Sequence, residues 1–234
     1  MKSLFKLKIP FVLLFSLLIT TTAQAQSRNI HFFGSYNRSF GNITASVSSS
    51  LGYPYYDEID QLRNGSVNQF EVGGFINSWG LGIIHNTYAA DATTSFENYD
   101  YNGDARMDNG VLSDHLNLKF TGLEVLNKQT VFTPRLEVLW KLAIGIQSYT
   151  IDKSAQFSNA YYSLNTNNQI LKGSILTALI GAGFDYHISK VISVGVETSL
   201  LPAKYKKLKE NGNEYSIDDN VSRLSTGLKL TLTL

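Results

Sequence analysis

Residues 172–202 carry two interleaved rows of opposite character. Leu176, Ala178, Ile180, Ala182, Phe184 and Tyr186 form an apolar row, which Ile192, Val194, Val196, Thr198 and Leu200 continue after a short turn. Thr177, Gly181, Gly183, Asp185, Ser193, Gly195, Glu197 and Ser199 form the polar row between them. Side chains alternate across a strand, so this spacing predicts a long hairpin with one apolar and one glycine-rich polar wall. In water the polar wall faces solvent. In a bilayer the apolar wall faces lipid and the polar wall a lumen.

The same alternation recurs along the chain. A strand over 30–40 sets Ile30, Phe32, Gly34 and Tyr36 against His31, Ser35 and Asn37. One over 67–77 turns Phe70, Val72, Gly74 and Ile76 outward and Gln69, Glu71 and Gly73 inward. Trp79, Leu81 and Ile83 set the outward face over 79–89. Over 114–125, Leu116, Leu118 and Phe120 are expected outward against Asn117, Lys119 and Thr121. Over 131–151, Leu136, Val138, Trp140, Leu142, Ile144 and Ile146 oppose Arg135, Glu137, Lys141, Ala143, Gly145 and Gln147. The last strand points Leu224, Thr226, Leu228, Leu230, Leu232 and Leu234 outward and Arg223, Ser225, Gly227, Lys229 and Thr231 inward.

Between these strands, 41–66, 90–112, 152–171 and 203–220 read as long polar loops, and the intervening connections are short. That rhythm predicts an all-β, closed antiparallel transmembrane β-barrel of eight strands, with four long outer loops and short periplasmic turns. Closure leaves no unpaired edge in lipid. A ten-stranded barrel is the alternative, with a hairpin hidden in 41–66 or 90–112.

The N-terminus favours the membrane reading. Lys2, Lys6 and Lys8 precede an apolar run over 9–19, and Ala23-Gln24-Ala25 has the form of a cleavage site. Residues 1–25 are expected to be a cleaved signal peptide and 26–234 the barrel domain, exported to an outer membrane. No later run is long enough for a membrane helix. Cysteine is absent, which excludes disulfides and thiolate metal sites, and a net charge of +1 gives no nucleic-acid signature. Thirteen Tyr and thirteen Phe against four Pro suit twisted strands with aromatic interfaces.

The signal peptide, the segment LIGAGFDYHISKVISVGVETSLLP and the terminal LSTGLKLTLTL resemble the outer-membrane protein beta-barrel domain family, small OmpA/OmpX-like barrels of the Bacteroidota type. Leu234 departs from the Phe or Trp that ends many such barrels. The resemblance implies outer-membrane lipid, lipopolysaccharide and the barrel-assembly machinery as partners.

Nine charges are expected to face the lumen: Glu71, Lys119, Arg135, Glu137, Lys141, Asp185, Glu197, Arg223 and Lys229. An eight-stranded barrel is only wide enough for side chains to fill, so these charges must pair. The expectation is a charge-plugged, non-enzymatic barrel with a structural or surface-interaction role. The alternatives are a small pore or ion channel, and a lipid-modifying enzyme similar to lipid A deacylases. The last rests on His187 and Ser189, two residues apart and so on one strand face.

Lys204, Lys206, Lys207 and Lys209 are a candidate contact for the phosphates of lipopolysaccharide. Asp100, Asn102 and Asp104 start like a calcium loop, but Ala105 and Val111 stand where its Gly and Glu belong. The four histidines are scattered, and Tyr53, Tyr55 and Tyr56 suit a membrane interface. No catalytic, cofactor-binding or metal-ligating set is expected.

Overall fold

The computed structural model describes residues 30–43, 61–100 and 103–234, with the side chains of 162 and 163 left aside. The signal-peptide assignment, the Tyr53–Tyr56 cluster and part of the Asp100 loop lie outside the described residues. Among the described residues ten strands form one antiparallel sheet. They are β1 (Ile30–Ile43), β2 (Asn64–Ile76), β3 (Trp79–Tyr99), β4 (Asp108–Thr130) and β5 (Leu136–Asn159) in the first half. β6 (Tyr162–His187), β7 (Ile192–Leu201), β8 (Lys204–Glu210), β9 (Asn213–Asn220) and β10 (Arg223–Thr233) make the second.

Eight of them close a ring, β1-β2-β3-β4-β5-β6-β7-β10, sealed by β1 against β10. A bonded row from Tyr36 runs through Phe70, His85, Thr121 and Ile146 to Leu176 on β6. The opposite way round, through Leu230 and Val194, it meets β6 at Tyr186, ten residues from Leu176. Such a stagger tilts the strands and fixes a narrow barrel whose interior side chains fill.

The strands are of unequal length. β1, β2, β7 and β10 have 14, 13, 10 and 11 residues, whereas β3 to β6 have 21, 23, 24 and 26. About 9–11 residues cross a bilayer, so β3 to β6 stand well beyond it on one side. The segments expected as loops over 90–112 and 152–171 are therefore largely strand. Their outer faces are polar because they meet water, while Ala92, Leu112, Ala155 and Leu171 point inward. Loop composition and water-facing strand composition coincide there.

The segment over 203–220 is also strand. It forms the β8–β9 hairpin, turning at Asn211-Gly212, both at positive φ. Its bridge to β6 pairs Lys172 with Lys209, above the point where β7 has ended. The extra pair thus lies outside the ring, and among the described residues neither 41–66 nor 90–112 adds a strand pair to it.

Turns at the other end are short. Asn77-Ser78 joins β2 to β3, with Asn77 at φ 57°. Residues 131–135 join β4 to β5, and 188–191 join β6 to β7.

Candidate functional site: the barrel interior and its outer mouth

The outer wall of the ring is apolar. Phe32, Phe70, Val72, Trp79, Leu81, Ile83, Leu123, Trp140, Ile144, Leu176, Ile180, Phe184, Val196 and Leu228 are all exposed on it. Trp79 and Trp140 stand edge to face near its lower rim, with ring centroids 5.6 Å apart. The interior carries buried Glu71, Glu124, Lys141, Asp185, Glu197 and Lys229. A soluble protein cannot leave that much apolar surface in water while enclosing those charges, so the apolar belt is the lipid contact. The chain folds as a narrow, closed transmembrane β-barrel.

Solved structures of similar shape are barrels as well. The N-terminal barrel domain of Pseudomonas aeruginosa OprF aligns at 11% identity over 89% of this chain and 100% of that one, with a TM-score of 0.39. Ail of Yersinia pestis, in complex with the heparin analogue sucrose octasulfate, aligns at 12% identity over 88% and 99%, TM-score 0.41. A major outer membrane protein from Thermus thermophilus aligns at 14% identity over 88% and 99%, TM-score 0.46. No family model and no curated protein matches the chain. At such identities no residue role is carried from these barrels to this one.

The centre of the barrel is one ionic layer. Lys141 Nζ contacts Glu71 Oε1 and lies 2.5 Å from Glu197 Oε1. Lys229 Nζ is 3.4 Å from Glu197, 3.6 Å from Glu71 and 3.8 Å from Asp185. Ser35 Oγ donates to Glu71 Oε2 at 2.7 Å, and Gln69 Nε2 donates to Glu71 at 2.8 Å and to Glu197 at 2.7 Å. Side chains of Lys141 and Glu71 have 0% exposure, and those of Glu197 and Lys229 have 1% and 3%. Bridging lysines and neutral donors satisfy carboxylates that would be prohibitively costly alone.

Gly181 makes room for this layer: a β-carbon there would sit 2.7 Å from Lys141 Cε. On the β3 side, a β-carbon on Gly82 would sit 2.7 Å from Glu124 Oε1. Above the layer, Arg223 donates to Asn86 Oδ1, and its guanidinium lies 5.1 Å from the Tyr88 ring centroid.

Six of the nine expected lumen charges are buried inside: Glu71, Lys141, Asp185, Glu197, Arg223 and Lys229. Glu137 lies at the mouth beside the short turns, where it meets His187 Nε2 at 3.0 Å and Lys128 Nζ at 3.5 Å. Arg135 is exposed in the turn before β5. Lys119 faces outward, because β4 has the opposite parity to the one expected. Leu116, Leu118 and Phe120 are buried, whereas Leu123 and Val125 meet lipid.

The correction brings in two residues that were not expected. Glu124 is an inward carboxyl beside Glu71, Lys141, Lys229 and Glu197, with no hydrogen-bond partner among the described residues. Lys128 reaches Asp185 at 3.8 Å and lies over the Phe75 ring at 4.7 Å. The parity of Leu123 and Val125, taken as the lipid face, would have revealed Glu124.

Towards the outer mouth the interior becomes apolar. Val67, Tyr88, Leu116, Leu118, Tyr149, Ile151, Tyr205 and Leu208 form one buried cluster. The tyrosine hydroxyls find acceptors: Tyr88 at Leu62 O, 2.7 Å, Tyr205 at Gln147 O, 3.0 Å, and Tyr149 at Asp219 Oδ2, 3.1 Å. Within this extension Asp114 and Lys153 are cross-strand partners. Burial pushes the Asp114 carboxyl up to about 6, partly opposed by Lys153, and burial lowers the Lys153 ammonium.

The remaining candidates do not assemble. Ser189 Oγ accepts from the backbone of Val191 and Ile192 at 3.2 and 3.1 Å, while His187 turns to Glu137. Asp100 accepts from the backbone of Gly103 and Ala105 at 2.8 and 3.0 Å, so its oxygens close a turn. Lys204 pairs with Asp218 at 2.8 Å, and Lys207 and Lys209 with Glu214 at 2.9 and 3.5 Å. Those partners hold Glu214 below the usual carboxylate range. Lys206 is exposed on the same hairpin.

Proposed function

We propose that this chain is a non-enzymatic outer-membrane barrel with a lumen closed by its own charges, and that it acts through the strands standing above the membrane. The observation that carries this reading is the buried layer of Glu71, Lys141, Glu197 and Lys229. A water-filled channel leaves its polar lining accessible, and these side chains are not. The separate engagements of Ser189 and His187 favour a non-enzymatic role.

Planar-bilayer recording of the purified barrel tests the closed lumen. Brief or absent conductance is the expected result, and stable, large steps would overturn it. Lipopolysaccharide is the proposed outer-leaflet neighbour, with Lys206 the hairpin lysine that the ion pairs to Asp218 and Glu214 leave aside. Replacing all four lysines with Gln should lower the lipopolysaccharide that co-purifies at low salt, and equal retention would remove that contact.

A further inference from the structure

A groove of about 740 Å³ lies on the outside of the barrel, across the upper ends of β10, β1 and β2 and the middle of β3. Register places its parts. Phe40 is bonded-row neighbour to Ser66 and Thr226, and Ser66 to Ala89, so small side chains floor the trough beside the ring. Phe40 is 85% exposed, the most exposed aromatic on the ring wall among the described residues apart from the Phe132 turn. Leu224 flanks the groove on one side, while Asn42, Asn64 and Asp91 rim its upper end.

Gly41 and Gly65 in the lining face inward, where a β-carbon would meet Val67 and the Tyr88 ring. The trough outside is therefore set by the small outward side chains of Ser66, Ala89 and Thr226.

Its position and chemistry define an occupant. Below the groove the next outward row holds Leu228 of the lipid belt on β10 beside Arg38 and Asn68 on β1 and β2. An occupant that runs down along Leu228 therefore carries an alkyl chain. At the upper end no cation among the described residues lines the groove, and one carboxylate does. That set is ill matched to phosphate, which Arg or Lys would bind. Amide, hydroxyl and carboxylate groups instead match the hydroxyls of a sugar. Asn42 Nδ2 donates to Asn64 Oδ1 at 2.7 Å, which fixes the two amides as one edge, and Asp91 is oriented by its contact with His115. Phe40 supplies a bare ring face for the C–H side of a pyranose.

We propose that this groove binds the sugar headgroup and upper chain of an outer-leaflet glycolipid, with Phe40 as the platform and Asn42, Asn64 and Asp91 as hydroxyl partners. The proposal rests on the outer-membrane reading for its natural ligand, and not on the lumen being closed.

The test uses the full mature barrel folded in dodecylphosphocholine, with side-chain amide resonances of Asn42 and Asn64 followed by NMR. Three probes are titrated: dodecyl maltoside, lauroyl lysophosphatidylglycerol and free maltose. Saturable shifts are expected with the maltoside, none with the phospholipid, and maltose should need at least about ten-fold higher concentration. Phe40→Ala, an outward substitution that leaves the interior intact, should weaken maltoside binding about ten-fold. Equal shifts with both lipids, no saturable shift, or an unaltered Phe40→Ala titration would overturn the assignment. Maltose binding as tightly as the maltoside would overturn the lipid part of it. Because the titration is done in detergent, its outcome is independent of whether the barrel conducts.

Discussion

Below Ile83, Thr121, Ile146 and Leu176 the wall of this barrel is apolar outside and encloses the buried charges, with Phe33, Phe75, Leu126 and Leu139 packed beneath them. Above, the same four strands turn a polar face outward and a mainly apolar one inward. On β5 the outward row passes from Trp140, Leu142, Ile144 and Ile146 to Ser148, Thr150 and Asp152, as the inward row passes from Lys141 to Tyr149, Ile151 and Ala155. No bulge marks the change. The strand keeps its pleat, and only the solvent changes. Lipid asks for an apolar exterior and leaves the interior to paired charges, while water asks for a polar exterior and an apolar core.

Each half should respond to a different injury. The largest effect is expected in the lower half, from Lys141→Ala. It removes the nearer of the two cations on Glu71 and Glu197 and leaves Lys229 alone to face both in a layer at most 3% exposed. Breaking a buried pair in this way costs about 3–5 kcal/mol. Urea titration in detergent micelles, read by the heat-modifiable gel shift, measures it. A change below about 1 kcal/mol would mean that the layer is hydrated.

In the upper half the sensitive residue is a leucine. Leu118→Ala opens the cluster around Tyr88 and Tyr149 and should cost about 2–5 kcal/mol. Its neighbour Lys119 faces outward, and Lys119→Ala should stay within about 0.5 kcal/mol of wild type. The reverse ranking would restore the parity expected from sequence, with Lys119 in the lumen.

That pair shows why most of the fold was legible in the sequence and part was not. Strands that end near the membrane, such as β7 and β10, keep one solvent along their length, so their apolar row names the lipid face. β4 crosses from water to lipid. Its apolar residues sit on even positions up to Phe120, inside the extension, and on odd positions at Leu123 and Val125, facing lipid. A parity taken from the upper half and applied below inverts the strand, which is how Lys119 was expected in the lumen and Glu124 was missed. The extension itself was hidden because a strand in water with Ser, Asn and Asp outward has the composition of a loop. Ion pairs such as Lys141 with Glu71 were legible as a requirement of a narrow barrel, but their partners depend on the ten-residue stagger.

A pH dependence separates the halves further. Burial holds Asp114 protonated up to about pH 6, above its ordinary value of 3.8. The folded state binds this proton more tightly than the unfolded chain. Its stabilising effect is therefore complete below about pH 4 and is lost as pH rises through about 6. Asp114→Asn should be more stable than wild type by roughly 2–3 kcal/mol at pH 7.5 and equal to it near pH 4. A wild-type curve that is flat between pH 4 and 7, with no gain from Asn, would show Asp114 to be ionised and solvated.

A small effect is expected at the boundary that the comparison leaves open, the mouth at the short turns. Glu137 resembles the buried layer in chemistry, since it faces inward and meets Lys128 and His187. It differs in exposure, with 21% of its side chain accessible against 0% for Glu71. Exposed pairs gain little because water solvates either partner once the other is removed. Lys128 also keeps Asp185 at 3.8 Å and the Phe75 ring at 4.7 Å when Glu137 is gone. Glu137→Ala should therefore lower stability by less than about 1 kcal/mol, and added salt should shrink the difference. The same urea titration, run at low and high salt beside Lys141→Ala, measures both. A loss as large as that of Lys141→Ala, insensitive to salt, would extend the buried layer down to the mouth and place its lower limit at His187.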